Sequence, residues 1–402
     1  MPDSLCRRLL SFYINLGLFV AANTQITSVY GEGLTQHHFN IDYTVDVWAN
    51  LRGGQKRGSA YLDNLDVTLG VDTETLFGLK NGNGYVHLLY NNSAGFSANL
   101  VGDYQVVSNI DSIHVIRLYE LWYEQGFGES QSVKLGLYDL NSEFDAIAAA
   151  ALFINSSHGI GAEYAQSGQN GPSIFPTTSL ALRYFNQISH QVSVRAAILD
   201  GVPGNIDDFQ KNQIRFAPDD GALLTAELEV TFAGGSPADS KDRGRLGVGT
   251  WYYTEPESRL NTNVEGMPKV NNRGIYGFYE HRITMAQGDT VEAWLRVGVA
   301  EPHVNQFDTY VGAGVVLSGF LPRKFEDSFG FAIAAAHNSD DYRIQAGSNA
   351  RSQELNFELT WRIRLSERWV LQPDLQFIHN PGTVREIDDA IAFGLRFELN
   401  IF

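Results

Sequence analysis

The chain has 402 residues, of which 44% are hydrophobic and 12% aromatic, with 39 glycines and a formal net charge of −17. That acidic excess argues against nucleic acid and phosphate-rich ligands as partners. The single cysteine, Cys6, lies so early that disulfides, thiolate catalysis and cysteine metal sites are excluded from everything after it.

The N-terminal stretch reads as an export signal. Arg7 and Arg8 supply a positive start, Leu9 to Ala22 is mostly apolar, and Val20 and Ala22 stand where a signal peptidase would cut. The expected signal peptide is residues 1–22, with a cut as late as about residue 34 as the outer bound. A membrane helix is the rival reading, but at about 14 residues the apolar run is shorter than the roughly 20 a span needs. Cys6 precedes that run, whereas a lipid-anchor cysteine would follow it. What remains is long enough for one large barrel or two soluble domains.

From residue 38 onward the chain reads as a series of strands. Sixteen candidates lie near 38–49, 61–72, 84–91, 115–126, 131–139, 178–186, 190–201, 222–234, 244–255, 274–286, 290–300, 307–318, 328–338, 353–365, 369–379 and 390–402. Most alternate apolar and polar residues with the period of two that a half-buried strand requires. In 222–234, Leu224, Ala226, Leu228, Val230 and Phe232 share one face, while Thr225, Glu227, Glu229 and Thr231 share the other. In 353–365, Leu355, Phe357, Leu359, Trp361 and Ile363 alternate with Asn356, Glu358, Thr360, Arg362 and Arg364. The segments 84–91 and 328–338 alternate less regularly. In the last strand Ile391, Phe393, Leu395, Phe397, Leu399 and Ile401 form the apolar face, which leaves the terminal Phe402 out of phase.

The connections sort by length. The links 127–130, 187–189, 287–289 and 366–368 are short and fall at one end of the strands; 92–114, 140–177, 201–221, 256–273 and 339–352 are longer and fall at the other. Links 73–83, 235–243 and 319–327 are of middle length on the short side. A soluble sandwich has no reason to sort its loops this way. A closed sheet with lipid outside and water inside is the β-structure that crosses a membrane. The expected fold is therefore all-β: one transmembrane β-barrel of 16 antiparallel strands over residues 37–402, integral to a bacterial outer membrane, with short periplasmic turns and longer extracellular loops. Tyr43, Tyr252, Trp361, Trp369 and Phe402 are candidates for the interfacial girdles.

A channel needs a constriction. The longest link, 140–177, carries the small apolar run Ala146 to Ile154, which an exposed loop would not normally hold. It is expected to fold inward, as a short helix against the wall, and to narrow the lumen. Pro172 and Pro176 restrict its returning limb. The inward residues carry both charges and several rings: Glu120, Trp122 and Glu124 on one strand, Lys134, Tyr138 and Arg183 beside them, Asn141 and Glu143 at the loop's start, and Trp251, Trp294, Arg296, Arg362, Arg364 and Arg396 further round. Rings can stack on the C–H faces of sugars while carboxylates and guanidiniums bond the hydroxyls. General-diffusion porins also oppose acids and bases, so composition alone leaves both readings open.

Several separated motifs carry a resemblance. They are Leu118-Tyr119-Glu120-Leu121-Trp122-Tyr123-Glu124-Gln125, Leu135-Gly136-Leu137-Tyr138-Asp139-Leu140-Asn141-Ser142-Glu143-Phe144, Leu152 through Gly161, Gly171-Pro172-Ser173-Ile174-Phe175-Pro176, and Tyr310 through Gly330. In this order they resemble the carbohydrate-selective outer-membrane porin family, over about residue 35 to the end. The resemblance implies a sixteen-stranded, water-filled barrel through which glucose and related sugars diffuse down their gradients. The phase of Phe402 departs from the porin habit of an outward terminal aromatic; a bulge or frayed end would reconcile it.

The partners expected are small neutral sugars and outer-membrane lipids, with divalent ions a further possibility at acidic outer loops. No cofactor, metal centre or catalysis is expected. Ser156, Ser157 and His158 are adjacent, but a serine hydrolase needs a base oriented by a third group. A general-diffusion porin is the main rival, and a soluble glycan-binding β-protein a weaker one. A monomer is favoured slightly over a trimer.

Overall fold

The protein is described here by a computed structural model covering residues 37–402 apart from 206–207, 209–213, 215–218, 234–242, 261–265, 286–287, 320 and 322–325. The expected signal peptide lies outside the described residues. Sixteen strands form one closed antiparallel barrel in which each strand pairs with its neighbours in sequence. The strands are β1 (His38–Gly54), β2 (Gly58–Asp72), β3 (Gly82–Asn92), β4 (Val115–Phe127), β5 (Gln131–Tyr138), β6 (Ser179–Gln187), β7 (Val192–Asp200) and β8 (Ala222–Ala233). They continue as β9 (Arg243–Glu257), β10 (Val270–Thr284), β11 (Thr290–Ala300), β12 (Phe307–Ser318), β13 (Glu326–Asn338), β14 (Gln353–Arg364), β15 (Trp369–His379) and β16 (Asp388–Asn400). Among the described residues the links hold three short α-helices: α1 (Thr73–Phe77), α2 (Ala162–Ala165) and α3 (Asp340–Ala346).

Alternation decides which side each residue faces. On β8, Leu224, Leu228 and Phe232 are exposed to the outside, while Thr225, Glu227 and Glu229 are buried within. The barrel closes where β1 meets β16, with Asp42 opposite Asn400 and Asp46 opposite Arg396. Closure leaves no unpaired strand edge, as a hydrocarbon environment requires. The irregular segments 84–91 and 328–338 belong to β3 and β13.

Two local departures from simple alternation matter. Opposite the step from His87 to Leu88, β4 carries an extra residue, so Tyr119 and Glu120 both turn inward and are buried. This bulge shifts the phase of the rest of β4 and leaves Leu121 exposed outside. At the C-terminus, Ile401 donates to the Ile41 carbonyl and Ile41 to that of Phe402. Ile401 and Phe402 are both exposed, and the Phe402 ring packs 5.4 Å from Phe39.

Inside the barrel, rings on one strand cover glycines on the next. A Cβ at Gly249 on β9 would overlap the Tyr276 ring, and one at Gly274 the Trp251 ring. Tyr276 donates to Glu227 at 2.6 Å, so its ring position is held. Gly249→Val is therefore expected to cost about 1–3 kcal/mol through overpacking. Heat-modifiability on gels checks this: the fraction of barrel remaining folded at a given temperature falls, whereas Thr250→Val, on the outer face, leaves it unchanged.

Candidate functional site

The link 139–178 crosses the lumen and bonds to the inner wall along its whole path. It leaves β5 at Asp139, whose carboxylate accepts from the Asn141 N–H at 2.9 Å. Glu143 is gripped by Lys134 at 2.5 Å and Arg183 at 2.7 Å, and Arg183 also reaches Glu124 at 2.7 Å. Burial works to raise the Glu143 carboxyl, but Lys134 and Arg183 outweigh it and hold the group well below the usual carboxylate range. Arg195 bonds the Glu143 carbonyl, and the Asp145 N–H donates to Glu227 at 2.8 Å. Arg296 on β11 then holds two loop carboxylates, Asp145 at 2.7 Å and Glu163 at 2.6 Å. On the far wall Glu358 accepts from the N–H groups of Ile154, at 2.6 Å, and Asn155, at 3.0 Å.

The apolar run between these anchors is packed away. Ile147, Ala149, Ala150 and Phe153 are buried in one cluster with Phe278, Trp294 and Ala332 from the wall. Only one short turn of 3-10 helix, Ala149–Leu152, forms within it. On the returning limb, Tyr164 stacks on Trp251 with ring centres 4.2 Å apart and planes 10° apart. His158 lies between Phe153 and Trp294, and burial pulls it down to about 3, so it is neutral. It neighbours Glu358 at 3.5 Å, and no serine–histidine hydrogen bond links it to Ser156 or Ser157 in this arrangement.

A second link, 93–114, also folds inward, which the sequence reading missed. Asp46 accepts from Ser108 at 2.6 Å and from both ends of the Arg396 guanidinium at 2.8 Å. Glu354 on β14 accepts from the N–H groups of Tyr104, Gln105 and Gly382. Beside it, burial and then the Glu354 carboxylate push Asp103 up to about 8. Main-chain bonds from Asn109 to Ile154 (2.8 Å) and from Ser156 to Val106 (3.0 Å) join the two links. The available signal was Phe96, Leu100, Val101, Val107 and Ile110, apolar residues scattered among polar ones in what looked like an outer loop; Phe96, Val101 and Val107 are fully buried here, and Leu100 and Ile110 nearly so.

Together the links cover one part of the wall and leave another open. Tyr138, Arg183, Trp251, Trp294 and Arg296 are 4% exposed or less and cannot be touched by a passing solute. Arg396 is likewise spent on Asp46 and the second link. On β2–β4, by contrast, Asp66, Tyr85, His87 and Trp122 remain partly accessible, with the Asp66 side chain 27% exposed. Tyr85 and Trp122 stack at 5.0 Å with planes 23° apart, and the Lys134 ammonium sits 4.1 Å over the Trp122 ring. Trp122 donates to Glu120 at 3.3 Å. His87 bridges Asp66, at 2.8 Å, and Glu120, at 3.7 Å. Tyr119 donates to Asp139 at 2.6 Å; burial and then Glu120 push Asp139 up to about 7. On the loop, Ser142 and Gly159 are exposed, and the Asn141 amide donates to the Gly159 carbonyl at 3.1 Å.

Nearer the periplasmic end, Arg362 pairs with Glu398 at 2.5 Å and Arg364 with Glu326 at 3.0 Å. A cavity of about 300 Å³ opens there between Gln187, His190, Ser193, Arg195 and Glu229. Among the described residues no group of three or more His, Cys, Asp or Glu is placed to hold a metal ion, so the divalent-ion expectation finds no site within them.

Comparison with known proteins fits this architecture. Residues 56–401 match the family model described as "Carbohydrate-selective porin, OprB family". The chain belongs to this family. Porin B of Pseudomonas aeruginosa is 23% identical over 404 residues, covering 90% of this chain and 87% of that one. Among solved structures, the high-pH form of Pseudomonas putida OprB superposes with a TM-score of 0.78 at 20% identity, covering 91% of this chain and 94% of that one. A loop-deleted OmpT of Vibrio cholerae shares the barrel more distantly, with a TM-score of 0.52 at 8% identity and coverage of 90% and 99%. This OprB-family porin is thus an integral outer-membrane channel for carbohydrate diffusion, and a transport protein rather than an enzyme.

Proposed function

We propose that neutral sugars pass along the β2–β4 wall, between the Tyr85–Trp122 rings and the rim of the inner loop at Asn141, Ser142 and Gly159. The observation that carries this reading is the stacked ring pair on the stretch of wall the two links leave uncovered. The lumen-facing edges of the Tyr85–Trp122 pair offer apolar surface to the C–H face of a pyranose, and Glu120, Asp66, His87 and Asn141 offer acceptors and donors to its hydroxyls. The ring is held by the Lys134 ammonium and its bond to Glu120, so it is preorganised rather than gathered by the sugar. Glu143, Arg183 and Arg296 act in this reading as loop anchors, and Glu124, Arg362 and Arg364 as charges of the periplasmic vestibule. Binding is weak, because a channel must release what it admits.

The open wall is acidic, since Asp66, Glu120 and Asp139 face a single histidine. A cation preference follows. Asp66→Asn with Glu120→Gln is expected to move the reversal potential in a KCl gradient toward zero. Because Asp139 is pushed up to about 7, it ionises as pH rises through that value, so the wild-type cation preference grows from pH 6 to 8. A reversal potential indifferent to both changes sinks this part of the reading.

The same proposal treats the barrel as functional singly. Val47, Leu88, Ile198, Leu228, Leu295 and Leu375 are large, apolar and exposed around its circumference, as lipid contact on all sides requires. Light scattering in mild detergent is expected to return the mass of one chain.

A further inference from the structure

The periplasmic turn between β2 and β3 carries a feature that sugar passage does not use. Asp72 accepts from the Glu74 N–H at 2.9 Å and the Thr75 hydroxyl at 2.6 Å, starting α1; Gly78, at φ 71°, ends it. Thr73 is buried, yet every residue from Glu74 to Asn81 is exposed. These include Leu76 at 54%, Phe77 at 71% and Leu79 at 51%. Three large apolar side chains in one short turn are costly to leave in water.

The turn is tied to the outer face of the barrel. On β4, Tyr123 and Gln125 point outward, opposite in phase to Trp122 and Glu124. Gln125 donates to the Lys80 carbonyl at 2.9 Å and accepts from the Tyr123 hydroxyl at 2.5 Å. The Gly126 N–H donates to the Asn81 carbonyl at 2.8 Å. A Cβ at Gly82 would press on both the Thr73 and the Tyr123 hydroxyls, so α1 sits against this outward tyrosine. Beside it Phe127 is exposed, in line with exposed Ile188, Leu365 and Trp369 at other periplasmic turns. The apolar surface of the turn therefore continues the lipid-facing belt past the strand ends.

We propose that Leu76, Phe77 and Leu79 insert into the headgroup–acyl boundary of the periplasmic leaflet, with the exposed Lys80 at the level of the lipid phosphates, making this turn an interfacial anchor of the barrel. Apolar residues flanked by a lysine are the composition that lies in such an interface. The anchor fixes how deep the β2–β4 side of the barrel sits in the bilayer.

The test uses the full barrel in nanodiscs of phosphatidylethanolamine and phosphatidylglycerol, which expose both membrane faces. With Cys6 replaced by serine, single cysteines introduced at Phe77→Cys, Leu365→Cys and Ser189→Cys can each carry an environment-sensitive fluorophore. The Phe77 label is expected to emit blue-shifted and to be quenched by spin-labelled lipid about as strongly as the Leu365 label, which lies on the lipid face. The exposed Ser189 turn serves as the aqueous reference. Separately, Leu76→Asn/Phe77→Asn/Leu79→Asn is expected to raise the rate of tryptic cleavage after Lys80 at least tenfold, with sugar block of ion current unchanged to show an intact channel. A Phe77 label as unquenched as the Ser189 label, or a triple variant cut no faster than wild type, overturns the anchor.

Discussion

Excising residues 143–165 and joining the ends with a short glycine–serine bridge is expected to raise single-channel conductance severalfold and to abolish discrimination between sugars. The segment carries the contacts that hold the inner loop across the lumen: Glu143 to Lys134 and Arg183, Asp145 and Glu163 to Arg296, the Ile154 and Asn155 N–H groups to Glu358, and Tyr164 on Trp251. Without it, buried wall residues such as Trp251, Trp294 and Arg296 face water, and the open cross-section extends beyond the β2–β4 wall. The strand pairing is independent of the loop, so the barrel survives. The second link loses its bonds to Ile154 and Ser156 but keeps Asp46, Arg396 and Glu354, so some narrowing remains. Bilayer recordings check this, and a folded variant with wild-type conductance contradicts a narrowing role for the loop.

Arg296→Met is the single substitution with the largest expected effect. It leaves Asp145 and Glu163 buried without their cation. Breaking a buried pair in this way costs about 3–5 kcal/mol, and here the strain falls on loop docking rather than on the barrel. Frequent flicker between the native conductance and a larger one is the expected result. Burial already raises both carboxyls, and Arg296 is the leading influence that lowers them. With it gone, the docked loop binds protons that the undocked loop releases. A carboxyl with a raised docked-state pKa favours docking at low pH and loses that contribution as pH rises. The variant is therefore expected to be quiet in acid and noisy in alkali. Adding Asp145→Asn and Glu163→Gln removes both buried charges and is expected to quiet the channel at every pH. Flicker that is absent, or independent of pH, contradicts the role assigned to Arg296.

The barrel was legible in the sequence because its physics is local and periodic. On β8, β11 and β14 each residue's side follows from a period of two, and loop lengths report which end faces which compartment. The interior was harder to read. Alternation placed Trp251, Trp294 and Arg296 inward but could not say that a loop covers them, since cover depends on contacts over a hundred residues apart, such as Arg296 to Asp145. Ala146 to Ile154 signalled a need for shelter because it is a continuous apolar run. The link 93–114 gave no such run; its Phe96, Val101 and Val107 are separated by polar residues and held by distant groups, including Asp46, Arg396 and Glu354. The bulge at Tyr119 was invisible for a related reason. Nothing in Leu118-Tyr119-Glu120 marks an extra residue until β3 is laid beside it. Phe402 escapes the alternation of β16, its ring packing against Phe39.

The central claim is that sugars slide along the Tyr85–Trp122 rings, and block of ion current by solutes measures this most directly. Purified wild-type protein and Trp122→Ala should be compared in planar bilayers with glucose, maltose and an acyclic polyol of matched size. For wild type, glucose and maltose are expected to reduce the current at concentrations where the polyol does not. In Trp122→Ala the sugar effect should weaken about fivefold, equivalent to roughly 1 kcal/mol, while open-channel conductance changes little. Equal block by all three solutes, unchanged by the substitution, would contradict the proposed path.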